Sequence, residues 1–137
     1  DVSIQAQVVN LFQELQDRLG ISSIFVAHDL AVVRHVSNRI AVMYLGTIVE
    51  ISSRDELYAN PKHPYTKALM ASIPVPNPVV EAGRAHQIIT GEVPSAQRPP
   101  PGCRFHPRCP HVMPVCKEKV PELKPEAGGM VACHLFS

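Results

Sequence analysis

The chain of 137 residues lacks a bilayer-spanning segment, since no apolar run approaches the roughly 20 residues that crossing requires. It lacks a charge bias: 13 basic and 12 acidic residues give a net charge of +1, and they are scattered. That excludes the basic stripe expected of a nucleic-acid binder. It has no Gly-rich loop ending in Gly-Lys-Ser/Thr, so it carries no phosphate cradle of that kind. It has no Cys-x-x-Cys, which argues against a thiol oxidoreductase. No secretory signal is visible, and the chain opens on Asp1 instead of Met, which suggests a piece of a longer protein.

Proline is almost absent from the first 73 residues, where only Pro61 and Pro64 occur; the other twelve lie between Pro74 and Pro125. Regular elements are therefore expected early, and loops with short turns later. Ile4, Val8, Leu11, Phe12, Leu15 and Leu19 recur at helical spacing, with Asp1 or Ser3 to cap the start and Gly20 to stop the end. Ile24-Phe25-Val26-Ala27 reads as a strand buried on both faces. Asp29 is placed to cap a short helix through Leu30, Val33 and Val36. Ile40–Tyr44 and Ile48–Ile51 read as a hairpin turning at Leu45-Gly46-Thr47. Ser53-Arg54-Asp55-Glu56 has capping-box spacing, and a further helix is expected from Thr66 to Ile73 with His63 or Thr66 as cap. Gln87-Ile88-Ile89 could be a strand. A doubly covered strand needs more neighbours than these segments supply, so an incomplete sheet with an exposed, self-associating edge is expected.

His28 follows the expected strand directly. The carboxyl end of such a strand is where α/β sheets bind ligands, and an imidazole there can reach a phosphate oxygen or hold a water. The plain alternative is a polar strand end in solvent. Ser23-Ile24-Phe25-Val26-Ala27-His28-Asp29-Leu30 resembles the switch-histidine segment of ABC ATPases. Asp1-Val2-Ser3-Ile4-Gln5-Ala6-Gln7 resembles the stretch beginning at their D-loop aspartate, and Ile40–Glu50 the strand pair that follows. Asn60-Pro61-Lys62-His63-Pro64-Tyr65-Thr66 resembles the segment marking the oligopeptide, dipeptide and nickel branch of ABC importers. Gly91-Glu92-Val93-Pro94-Ser95 and the run Pro99–Cys103 extend that likeness along essentially the whole chain.

The resemblance implies an α/β fold: an incomplete P-loop NTPase core, then a proline-rich, cysteine-containing C-terminal extension. The expected divisions are 1–60 (nucleotide-binding core), 61–102 (transporter-type extension and linker) and 103–137 (four-cysteine segment). It implies an energy-coupling subunit that hydrolyses ATP with Mg in the full-length protein, while these residues alone are inactive. His28 would contact the γ-phosphate, and Asp1 would act across the interface with a second ATP-binding subunit. Transmembrane permease subunits, and indirectly an external peptide-binding protein, are the other implied partners; nucleic acid is not. The implied location is peripheral, at the cytoplasmic face of the membrane. A stand-alone metal-binding regulatory or interaction module is the competing class.

Cys103, Cys109, Cys116 and Cys133 are the only cysteines, spaced by five, six and sixteen residues. In a reducing compartment such a group favours a metal over disulfides. Zinc sites usually bring tighter pairs, whereas four looser thiolates with Pro110 after Cys109 suit an iron–sulfur cluster. Peptide-importer ATPases with a similar set resemble cluster binders. A [4Fe–4S] cluster is expected, with zinc and then two disulfides as alternatives and a structural role foremost. His106, His111 and His134 stand beside the cysteines as substitute ligands, and Arg104 and Arg108 as charges to offset thiolates.

Overall fold

The computed structural model describes residues 2–73 and 89–136. It divides into two compact units, Asp1–Asn38 and Arg39–Ser137. Among the described residues no helix is long and apolar enough to cross a membrane.

The first unit contains α1 (Val2–Leu19) and α2 (Leu30–Val36). Gly20 ends α1 as expected, taking φ +61 while its amide bonds the Gln16 carbonyl at 2.9 Å. Ser3 falls inside the helix, and position 1 lies outside the described residues. Asp29 caps α2, its Oδ1 accepting from Ala31 N at 2.9 Å and Val32 N at 3.3 Å. One expectation fails here. Ile24–Ala27 makes no ladder, and Ile24 and Val26 are 94% and 91% exposed. A strand exists only by pairing, and no partner strand is available in this unit. The helical stripe Val8, Leu11, Leu15 and Leu19 is likewise exposed. Instead α1 turns Val9 inward, sets Phe12 against Phe25 (centroids 6.3 Å apart) and bonds Gln13 Nε2 to the His35 carbonyl at 3.0 Å.

The second unit is built on a four-stranded antiparallel sheet, ordered β1-β2-β4-β3. Strand β1 (Arg39–Tyr44) alternates exposed and buried, sending Ile40, Val42 and Tyr44 inward. It turns into β2 (Thr47–Ser53) through Leu45 and Gly46, both at positive φ (+45° and +77°), as a two-residue hairpin of type I′ requires. The ladder slips where Val42 pairs with Glu50 but Met43 with Ile48, leaving Val49 as the extra residue of a bulge. Alternation breaks there, so Val49 and Glu50 are both buried. The carbonyl that Val49 leaves out of the hairpin accepts from Ala132 N at 2.9 Å.

Ser53 caps α3 (Arg54–Ala59), its Oγ accepting from Glu56 N at 3.3 Å. The Glu56 carboxylate does not complete the box; it pairs with Lys62 at 3.1 Å. His63 caps α4 (Pro64–Ala71), which begins two residues before the expected helix because Pro64 is preset for a first helical position. Most of Gln87-Ile88-Ile89 lies outside the described residues. The tail is more regular than its prolines suggest: α5 (Pro114–Glu118) precedes a hairpin of β3 (Lys124–Glu126) and β4 (Gly129–Val131). Strand β4 pairs with β2, Glu50 opposite Val131 and Ser52 opposite Gly129.

That pairing leaves no room at Gly129, where an added Cβ would stand 2.2 Å from the Ile51 carbonyl oxygen. Gly129→Ala is therefore expected to part β4 from β2 and cost about 1–3 kcal/mol, the usual range for overpacking. Urea unfolding of the two proteins side by side measures it; equal midpoints would refute the pairing.

Candidate metal centre and the histidine corner

The segment Asn60–Pro64 has few backbone donors, because Pro61 and Pro64 have no N–H. Asn60 N is used by the Glu56 carbonyl at 2.8 Å. The two remaining amides, Lys62 and His63, both bond the Glu50 carboxylate, to Oε1 and Oε2 respectively, each at 2.9 Å. Glu50 is 2% exposed. A carboxylate so buried is tolerated because backbone donors replace its water. Sequence reasoning passed over Glu50, whose partners are backbone amides.

His63, 1% exposed, accepts from Tyr65 N through Nδ1 at 3.1 Å. Its ring meets Phe105 at 5.7 Å between centroids. Phe105 also meets Tyr44 edge-on at 5.2 Å and Tyr65 at 5.4 Å, while Tyr44 and Tyr65 stand 4.7 Å apart. Each such aromatic pair contributes about 0.5–1.5 kcal/mol beyond burial. Tyr44 Oη, Thr66 Oγ1 and Arg108 Nε are buried with no hydrogen-bond partner. Ring packing, more than hydrogen bonding, therefore holds this part of the corner.

The cysteines flank that corner. Cys103 N bonds the Cys116 carbonyl at 2.8 Å, and the approach requires Gly102, whose added Cβ would meet that carbonyl oxygen at 2.4 Å. Every sulfur has a backbone amide directed at it. Phe105 and His106 donate toward Cys103, His111 toward Cys109 and Leu135 toward Cys133. Met113 N lies 3.5 Å from the Cys116 sulfur. The thiols also feel one another: burial pushes Cys133 up to about 11, and Cys103, Cys109 and Cys116 each add to the rise. Burial raises Cys103 and Cys109 as well.

Four mutually coupled thiols, each with amide–sulfur contacts, suit a thiolate-bound metal in donor chemistry. As they stand, none of the four is in a disulfide, and among the described residues no three His, Cys, Asp or Glu side chains form a group that could hold an ion. A metal would have to draw the thiols together and release their protons. Of the histidines and arginines beside the cysteines, His106, His134 and Arg104 have backbone carbonyls as partners. His106 Nδ1 lies 2.9 Å from the Cys103 carbonyl oxygen, His134 Nε2 lies 2.9 Å from that of Lys119, and His111 is exposed. Arg104 bonds the Leu45 carbonyl, and the charge of Arg108 partly offsets the rise that burial gives the Tyr65 phenol. In the other unit His28 is exposed just before the α2 cap, where the Asp29 carboxylate already takes two amides. Asp1 lies outside the described residues.

Comparison with known proteins gives this arrangement its context. Residues 49–116 match the family model described as oligopeptide/dipeptide transporter, C-terminal region. The chain belongs to that family, matching it over those residues. It is 51% identical over 138 residues to the oligopeptide transport ATP-binding protein AppF of Bacillus subtilis, covering 100% of this chain and 42% of that protein. It is 53% identical over 133 residues to OppF, the oligopeptide transport ATP-binding protein, of Salmonella typhimurium and of Escherichia coli, covering 97% of this chain and 40% of each. The chain thus spans about two-fifths of the curated relatives it matches.

The histidine corner sets a pH dependence. Burial pushes the His63 imidazole down from an ordinary 6.5 to about 4, and a proton on Nδ1 would also remove the acceptor for Tyr65 N. The unfolded chain takes up this proton first as pH falls, so the contribution of neutral His63 is complete above about 6.5 and lost as pH falls through about 4. It is worth roughly 3 kcal/mol. His63→Asn keeps a capping oxygen without a titrating ring, and is expected to flatten the stability profile between those two values. Urea midpoints across that window measure this; an unchanged acid limb would clear His63 of the role.

Proposed function

We propose that the whole protein is the energy-coupling subunit of a peptide importer, binding ATP with Mg between two such subunits at the cytoplasmic face of transmembrane permease subunits. ATP hydrolysis would drive uptake of peptides delivered by an external binding protein. The observation that carries this reading is the identity of about half across the chain to oligopeptide transport ATP-binding proteins. The stand-alone metal-module reading draws no support from relatives that match residues 1–102 as well as the cysteine tail.

Within that function His28 contacts the γ-phosphate and holds the attacking water, and Asp1 couples the two subunits. His28 is exposed and so accessible to a ligand. The divisions are 1–60, core; 61–102, transporter-type extension; 103–137, cysteine segment. These residues alone do not turn over ATP, because they lack the phosphate-cradling loop. Cys103, Cys109, Cys116 and Cys133 hold a [4Fe–4S] cluster, with zinc as the second reading. Bound there, the group supplies cross-links among three short segments that share little core. The chain's own part is to present four thiols and the amides that stabilise their thiolates.

The full-length protein with its permease, reconstituted in vesicles, tests the central reading. Wild type is expected to couple ATP hydrolysis to uptake of a labelled oligopeptide. His28→Ala is expected to lower turnover by at least about a hundredfold, the effect of removing one positioned transition-state contact. Peptide uptake without ATP, or wild-type turnover in His28→Ala, would defeat the assignment or the residue's role respectively.

A further inference from the structure

We draw no further inference here: the strongest candidate, the exposed apolar face of the first unit where Val8, Leu11, Leu15 and Leu19 of α1 line up and Ile24 and Val26 stand open to solvent, carries nothing because nothing in the structure shows what covers it.

Discussion

The second unit depends on one buried carboxylate. Glu50 stands in the interior of β2 at 2% exposure and is bonded by the only two amides that the proline-flanked segment Asn60–Pro64 has left to give. Neither side of this arrangement is stable without the other. An unbonded buried carboxylate costs several kcal/mol, and two buried unpaired amides cost about 1–3 kcal/mol each. The bulge at Val49 makes it possible, since it turns Val49 and Glu50 to the interior together. The same bulge frees the Val49 carbonyl for Ala132, so the strand that fixes the corner also receives the C-terminal tail.

From Glu50 the order of dependence runs outward. Its bonds set the backbone of Lys62 and His63; His63 then caps α4 and packs on Phe105; Phe105 sits between the aromatic rings and a cysteine sulfur. Two kinds of physics share the task. Hydrogen bonds of fixed direction place the segment, and ring contacts of looser geometry fill the space above it. This explains why Tyr44 Oη and Thr66 Oγ1 can remain without partners while the corner stays closed. The cysteines lie at the far end of this sequence of contacts.

Local chemistry was legible in the sequence and burial was not. Gly20, Asp29, Leu45-Gly46, Ser53 and His63 each do what their side chain or missing side chain implies, because caps and turns are decided within a few residues. Type and spacing of the four cysteines pointed to a metal, while among the described residues no three such side chains form a group that could hold an ion. The strand Ile24–Ala27 was misread as buried, since apolar pattern records a need for cover and not its presence. The β2–β4 pairing joins residues some eighty positions apart, and nothing local announces it. Glu50 was missed for the same reason: its partners are backbone groups, which no side-chain pattern reveals.

Amide hydrogen exchange at Lys62 and His63 tests most directly whether Glu50 holds this unit together. These two amides sit in a loop between short helices, where fast exchange would be the ordinary outcome. The account predicts protection close to that of the β1–β2 ladder, lost at both positions together when Glu50 is changed to Ala, which removes both acceptor oxygens. Exchange at the rate of an open loop in the unaltered chain, with the ladder still protected, would contradict it.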